Sequence, residues 1–150
     1  MSISRSPAEL LKPGRPLTLA GVADGAEGLV AADLARAIAA RRDAPATSLL
    51  LICRDGPRSA ALARSLAFFA PDIAVVEFPA WDCLPYDRVS PHAGVVAQRV
   101  SALSRLAHPK KCAGPSVLLA TVNSALQRVP PKALVAAQSL SAAPGNLLAM

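Results

Sequence analysis

The chain has 150 residues and a mass of 15.4 kDa, and 53% of its residues are hydrophobic. This length suits one domain, or one domain and the start of another, and the apolar content excludes wholesale disorder. Sixteen Lys and Arg against ten Asp and Glu give a net charge of +6. A basic excess of this size leaves a nucleic acid or an acidic partner open, and a solvated basic surface is the simpler interpretation.

The cysteines and the N-terminus place limits on the compartment and on metal binding. Cys53, Cys83 and Cys112 are odd in number and have no metal-ligand spacing, so we predict reduced thiols and no metal site. The first 19 residues lack the uninterrupted apolar core of a signal peptide. Charged residues also break every apolar run before it reaches the length of a membrane span. These features predict a cytoplasmic protein without membrane contact.

Apolar runs alternate with helical patterns along the first half of the chain. Residues 17–20 predict a first strand, followed by a glycine-containing loop over 21–28 and a helix through Leu29 to Ile38. The continuous apolar run 49–53 predicts a second, parallel strand covered on both faces. A turn at residues 55–57 then predicts a helix with Pro57 near its first position that ends before Pro71, and residues 73–78 predict a third strand.

The second half contains an irregular stretch and a fourth strand. Residues 79–91 contain three prolines and turn residues, which predicts an irregular loop of the kind that carries function. Ser90 is predicted to cap a helix that has Pro91 at its first position and runs through Leu106. A fourth strand at 117–121 precedes a short helix capped by Asn123 or Ser124 and ended by two prolines. The order predicts an α/β fold with a parallel sheet of about four strands, flanking helices and right-handed crossovers.

The loop after the first predicted strand stands where a phosphate-binding P-loop would stand. A P-loop needs GxxxxGK[ST], because its backbone N–H groups cradle phosphates, its lysine reaches the outer phosphates and its hydroxyl holds magnesium. Here Gly21 and Gly25 remain, but Glu27 takes the lysine position and Gly28 the hydroxyl position. Since a carboxylate repels a polyphosphate, the sequence predicts a degenerate loop without ordinary nucleotide binding.

Residues 78–92 form the most distinctive segment of the chain. Asp82, Asp87 and His92 allow an acid/base interpretation, because histidine and a carboxylate are a common catalytic pair. No nucleophile accompanies them, and carboxylates in turns usually accept backbone N–H groups, so a structural role is the stronger interpretation. Trp81 and Tyr86 are then expected to pin the loop to the domain.

The arginines provide weak evidence for nucleic-acid binding. They fall mostly on the polar faces or edges of the predicted helices, without the interleaved aromatic residues that single-strand binders use. A solvated face is therefore expected for Arg36, Arg41, Arg42, Arg54, Arg58, Arg64, Arg99 and Arg105.

Two blocks of the sequence resemble a known family. The motif F-P-x-W-x-x-L-P-Y-D-x-x-S-P-H…R-L, found near the N-terminus of bacterial transcription-repair coupling factors (Mfd), is matched here by Phe78, Pro79, Trp81, Leu84, Pro85, Tyr86, Asp87, Ser90, Pro91, His92 and Arg99 with Leu103. A second block of that family, V-N-[ST]-L-x-Q-R, is similar to residues 122–128. With the element order before the loop, the resemblance covers about residues 15–135.

The resemblance implies a fold and a function for the longer protein. It implies a first domain similar to the repair protein UvrB, a RecA-like layer that has lost its ATPase motifs, so that this segment has no catalytic residue and no cofactor. The whole protein is implied to be an ATP- and magnesium-dependent double-stranded DNA translocase that displaces stalled RNA polymerase and recruits UvrA for nucleotide excision repair. The motif residues are expected to build the loop and to pack against another domain.

The implied organisation has three parts. Residues 1–14 are an N-terminal extension, 15–135 the first part of the UvrB-like domain, and 136–150 the start of a linker or insertion toward the UvrA-contacting domain. Two alternatives remain open, a stand-alone basic nucleic-acid-binding domain and an independent nucleotide-binding α/β protein. The first would show salt-sensitive DNA affinity, and the second is disfavoured by the degenerate loop.

Overall fold

The computed structural model describes residues 16–41, 48–84, 86, 88–108 and 114–139. The expected N-terminal extension, residues 140–150, Pro85, Asp87 and Cys112 lie outside the described residues. The elements, in chain order, are α1 (Glu27–Ala39), β1 (Ser48–Cys53), α2 (Gly56–Phe69), β2 (Ala74–Phe78), α3 (Ala93–Ala107), β3 (Ser116–Thr121), α4 (Val122–Leu126) and α5 (Lys132–Gln138). No helix within these ranges is long and apolar enough to cross a bilayer.

The three strands form one parallel sheet in the order β1-β3-β2. The predicted parallel α/β fold is therefore confirmed, and β3 lies between the two earlier strands. Leu50 and Val76 both lie beside Leu118, which fixes the register across the sheet. The last residue of β2 and the end of β3 thus meet at the carboxyl edge, where parallel sheets place their functional loops.

Helices α1 and α2 cover one face of the sheet. Small alanines of α1 and the leucines of α2 pack on the central strand, with Val117 and Leu119 fully buried beneath them. Burying such side chains stabilises a fold by roughly 1.5–3 kcal/mol each. The buried thiol of Cys53 belongs to this core, and burial raises its pKa, as expected for an unreactive structural cysteine.

The prediction of a strand at residues 17–20 was wrong. This segment is irregular and exposed, and Leu17 and Leu19 keep about half and two fifths of their side-chain surface in solvent. A short apolar run becomes a strand only when a neighbour accepts its backbone hydrogen bonds, and the sequence carries no local signal for that partner. Leu19 instead lines an open cavity beside β1.

The prediction that the strand at 49–53 is covered on both faces was also wrong. Its alternate residues Leu50 and Ile52 each keep 53% of their surface exposed. Helix α3 covers the second face only beside β2, with α5 packed against α3 in turn. The described residues therefore leave the β1 side of this face open.

Two helix starts differ from the sequence prediction. His92, not Ser90, caps α3, because its Nδ1 atom accepts from the Gly94 N–H at 3.1 Å. Thr121, not Asn123 or Ser124, caps α4 in a reciprocal capping box with Ser124. In both cases a side chain two or three residues away offered a second acceptor, and the sequence pattern does not distinguish the two candidates. Helix α5, which was not predicted, spans residue 135, the expected end of the domain.

We expect Asp55→Ala to lower the free energy of unfolding by about 1 kcal/mol. The Asp55 carboxylate caps α2 by accepting the Arg58 N–H at 2.8 Å. Asp55→Asn is the matched control, since an asparagine oxygen caps as well as a carboxylate and should leave stability nearly unchanged. Urea denaturation measures both, and equal losses for the two variants would contradict the capping role.

Candidate functional site

The distinctive motif is built around one buried arginine. Arg99, in the middle of α3, is 2% exposed, and its guanidinium lies between two rings, 4.2 Å from the Phe78 centroid and 4.3 Å from the Trp81 centroid. The same group donates from Nη1 to the Pro79 carbonyl at 2.6 Å and to Gln127 Oε1 at 3.1 Å. We call Phe78, Pro79, Trp81, Arg99 and Gln127 the Arg99 cluster.

Three separate elements contribute to the Arg99 cluster. Phe78 is the last residue of β2, Arg99 projects from α3, and Gln127 follows α4. Gln127 Oε1 also accepts the Trp81 N–H at 3.0 Å, so one amide oxygen holds both the loop backbone and the arginine. The cluster therefore ties the two sequence blocks of the family motif together at the carboxyl edge of the sheet.

The electrostatics of the cluster are those of a buried structural cation. Burial lowers the pKa of Arg99, and no carboxylate in the described part of the chain pairs with it. The two ring faces supply compensation, since a desolvated cation on an aromatic face gains about 2 kcal/mol or more. The Arg99 Nε atom is buried without a hydrogen-bond partner. The prediction of a solvated face was therefore wrong for Arg99.

Asp82 and His92 are two of the candidates in the acid/base interpretation, and both side chains contact backbone groups. The Asp82 carboxylate accepts the His92 N–H at 3.2 and 3.3 Å, and the His92 ring caps α3. Among the described residues, no hydrogen bond or ion pair joins the Asp82 carboxylate to the His92 ring. Asp87, the third candidate, lies outside the described residues.

Trp81 and Tyr86 differ in their surroundings. Trp81 pins the loop through Arg99 and Gln127, as the sequence predicts. Tyr86 is fully exposed and has a positive φ of 74°, so the prediction that it pins the loop to this domain was wrong. Leu84 is also exposed, and Ser90 and Pro91 lie between the loop and the cap of α3.

The degenerate P-loop forms a second local structure. Gly21 and Gly25 both have positive φ, of 76° and 88°, which suits glycine in a tight loop. Glu27 opens α1, and its carboxylate accepts the Gly25 N–H at 2.8 Å and pairs with the Arg58 guanidinium. The position of a P-loop lysine is thus occupied by the Glu27 carboxylate, which is already paired with the Arg58 guanidinium. This arrangement does not fit the phosphates of a nucleotide.

Gly28 has a packing role instead of a phosphate-binding one. It is buried where α1 approaches α2, and a Cβ placed there would lie 2.2 Å from Ser65 Oγ. Ser65 in turn donates to the Gly25 carbonyl at 2.9 Å. The glycines of this loop therefore set a close contact between two helices, and an open cavity of about 830 Å³ with mostly apolar walls lies between the loop, α1 and β1.

The described residues contain no group of His, Cys, Asp or Glu side chains that could hold a metal ion. Three other arginines on the described surface, Arg36, Arg54 and Arg58, pair with neighbouring carboxylates. Arg36 pairs with Asp72 at 2.7 Å and Asp33 at 3.3 Å, and Arg54 pairs with Asp55 at 2.9 Å. These pairs weaken the case for a phosphate-binding face at this side of the molecule.

We expect acid to destabilise the fold in part through Glu27. Hydrogen bonds from its own backbone N–H and from Gly25, with the Arg58 charge, hold the pKa of Glu27 below its usual value of 4.5. Because the folded pKa is the lower one, this stabilisation is complete above the unfolded pKa and is lost as the pH falls through the folded pKa. Glu27→Gln should therefore flatten the decline in unfolding free energy below about pH 5.

Urea denaturation at a series of pH values checks this expectation. Gln98→Ala, an exposed change that does not titrate, is the control and should keep the full decline. An unchanged pH dependence in Glu27→Gln would contradict it.

Comparison with known proteins identifies relatives over much of the chain. The chain is 36% identical over 107 residues to a protein named transcription-repair-coupling factor from Mycobacterium bovis, covering 69% of this chain and 9% of the relative. It is 31% identical over 121 residues to the protein of that name from Escherichia coli K12, covering 81% of this chain and 10% of the relative. The Rickettsia bellii protein is 28% identical over 83 residues. No protein-family model matches the chain.

These matches confirm the resemblance deduced from the motif. The chain spans about a tenth of the length of the relatives it matches. What sequence reasoning missed is Gln127, which links the two motif blocks in space. The sequence feature that could have identified Gln127 is its place in the second motif block, where Arg128 follows it as in the family pattern.

Proposed function

We propose that this chain, a relative of the transcription-repair-coupling factors, is a non-catalytic scaffold segment of such a protein, belonging to its UvrB-like first domain. The observation that carries the proposal is the Arg99 cluster. The most distinctive side chains of the motif are used to hold a loop, and the guanidinium is covered on both sides by rings. A buried cation of this kind is available to organise structure and not to act on a substrate.

The degenerate P-loop supports a segment without nucleotide chemistry. Glu27 and Gly28 replace the lysine and the hydroxyl that a phosphate site needs, and Arg58 and Ser65 fill the contacts of these two positions. A parallel sheet with helices is in keeping with a RecA-like layer whose ATPase motifs are lost. ATP and magnesium would then be bound by a motor elsewhere in the longer polypeptide.

The activity of the longer protein is part of the same proposal. Its relatives are named for coupling transcription to repair. We propose that the longer polypeptide translocates on double-stranded DNA, displaces stalled RNA polymerase and recruits UvrA, and that this segment supplies a rigid frame. It would meet these partners as part of the whole polypeptide in the cytoplasm.

The size of the native polypeptide tests the proposal directly. An antibody or peptide assay for residues 65–88, applied to a denaturing gel of whole cells, should detect a band several times larger than 15.4 kDa. A band at the mass of the chain itself would overturn the scaffold proposal, because a free-standing piece could not draw on a motor. Peptide sequencing of the band excludes cross-reaction.

The alternative of a stand-alone nucleic-acid-binding domain is less well supported. Its basis is the net charge of +6, whereas Arg36, Arg54 and Arg58 are paired with carboxylates. If it were correct, the chain would bind duplex DNA with an affinity that falls steeply as salt is raised. Salt-independent or absent binding would remove this alternative and leave the scaffold proposal standing.

A further inference from the structure

The motif loop has a fixed base and an apolar tip. The base is held by the Arg99 cluster and is closed by the Asp82 carboxylate, which accepts the N–H of His92 ten residues later. A loop whose ends are joined in this way behaves as a compact Ω-like unit. Its position on the sheet edge is therefore fixed by hydrogen bonds at both ends.

Between these ends the loop turns large apolar side chains into solvent. Leu84 and Val89 are 73% and 72% exposed, and Tyr86 is fully exposed. We call these three residues the tip. Three exposed large apolar side chains fall within six residues here, and contiguous exposed apolar surface marks interaction sites. Burying them in a partner would remove this apolar surface from water and so offset the losses of association.

The backbone at the tip is strained in the way that functional loops are. Tyr86 has a φ of 74°, in the left-handed region that residues other than glycine rarely adopt. Tyr86 is therefore both the strained residue and the most exposed of the three. Its backbone conformation directs the ring into solvent and not against the domain. Arg88 is exposed in the same loop, and Arg128 is exposed beside the Gln127 that holds the base.

We propose that the tip docks into an apolar cleft, rimmed by carboxylates, on another domain of the longer polypeptide. The inference rests on the proposed function, since it needs a longer polypeptide to supply that domain. The chain covers about a tenth of its relatives, so most of such a protein lies outside it. The exposed Arg88 and Arg128 favour an acidic rim by charge complementarity, while the Asp82 carboxylate of the same loop already accepts the His92 N–H. Two of the three tip residues are aliphatic and cannot stack on bases, which favours a protein over a nucleic acid.

The test measures how fast a thiol at the tip reacts. Tyr86→Cys is introduced into the 150-residue chain and into the full polypeptide, and maleimide labelling at position 86 is followed by peptide mass spectrometry. Docking should slow labelling about tenfold or more in the full polypeptide, because the centre of an interface excludes solvent. Adding Arg88→Glu should restore much of the rate. Ser101→Cys, at an exposed polar position on α3, is the control and should react equally in both.

The outcomes separate the two proposals. Equal rates at position 86 in the chain and in a longer native polypeptide would overturn the docking inference and leave the scaffold proposal intact. A native polypeptide no longer than this chain would overturn the scaffold proposal itself. Equal slowing at positions 101 and 86 would indicate general crowding and would also overturn docking at the tip. Protection of position 86 in the isolated chain by a single-stranded oligonucleotide would replace the protein partner with a nucleic acid.

Discussion

Replacing Arg99 with alanine will lower the free energy of unfolding by about 3 kcal/mol, because two charge-assisted hydrogen bonds and a buried side chain are lost together. The carbonyl of Pro79 and Oε1 of Gln127 lose the Nη1 donor that now lies 2.6 and 3.1 Å away. The faces of Phe78 and Trp81 lose the cation between them and border a cavity. The loop base is thereby released.

Trp81 reports on this change directly, because it is the single tryptophan of the chain. Its fluorescence emission should shift to longer wavelength in Arg99→Ala, as water reaches the ring that the guanidinium now covers. Arg99→Lys should recover only part of the stability, since an ammonium keeps the charge but lacks the planar group that stacks between two rings. Urea denaturation followed by this fluorescence gives both quantities.

Two further variants keep the Arg99 prediction testable. Arg105→Ala, an exposed change on the same helix, should alter stability by no more than about 0.5 kcal/mol. If Arg99→Ala does not fold, Gln127→Ala takes its place as the milder substitution. It should show the same shift in Trp81 emission. A loss below about 1 kcal/mol in Arg99→Ala with unchanged emission would mean that the cluster does not hold the loop.

The strands that pair within the chain could be predicted from local sequence. The runs at 49–53, 73–78 and 117–121 correspond closely to β1, β2 and β3, because continuous apolar residues between turns have few other ways to be buried. Residues 17–20 have the same local pattern and no strand partner in the described structure. A local pattern indicates only that a segment is apolar. Whether that segment pairs with another strand depends on residues far away in the sequence.

The Arg99 cluster shows what else the sequence left undetermined. Arg99 lies four residues after Val95 and three before Ala102, so the helical period places it on the buried face of α3. A charged side chain predicts exposure to solvent, and at this position the helical period is the better guide. The rings that cover Arg99 come from β2 and from the loop after it, so they are separated from Arg99 in the sequence and meet it only in the folded chain.

Replacing Gly28 with alanine is the second large effect that we expect, a loss of about 2 kcal/mol from overpacking between α1 and α2. The added Cβ would lie 2.2 Å from Ser65 Oγ and 2.9 Å from Ser65 Cβ. Rotation of the hydroxyl could relieve the first contact but not the second, so the helices must move apart. Intrinsic helix propensity acts in the opposite direction, since alanine is favoured over glycine by up to about 1 kcal/mol within a helix.

Gly56→Ala separates propensity from packing. Gly56 opens α2, and a Cβ there meets nothing within 4 Å, so this control should leave stability unchanged or raise it slightly. The pair Gly28→Ala and Ser65→Gly completes a double-mutant cycle. If the loss arises from the contact with Ser65, the double variant should be more stable than the sum of the single changes predicts, by about 1 kcal/mol. Additive losses would instead place the overpacking of Gly28→Ala on the α2 backbone and not on the Ser65 side chain, since the Leu66 N atom would lie 3.3 Å from the added Cβ.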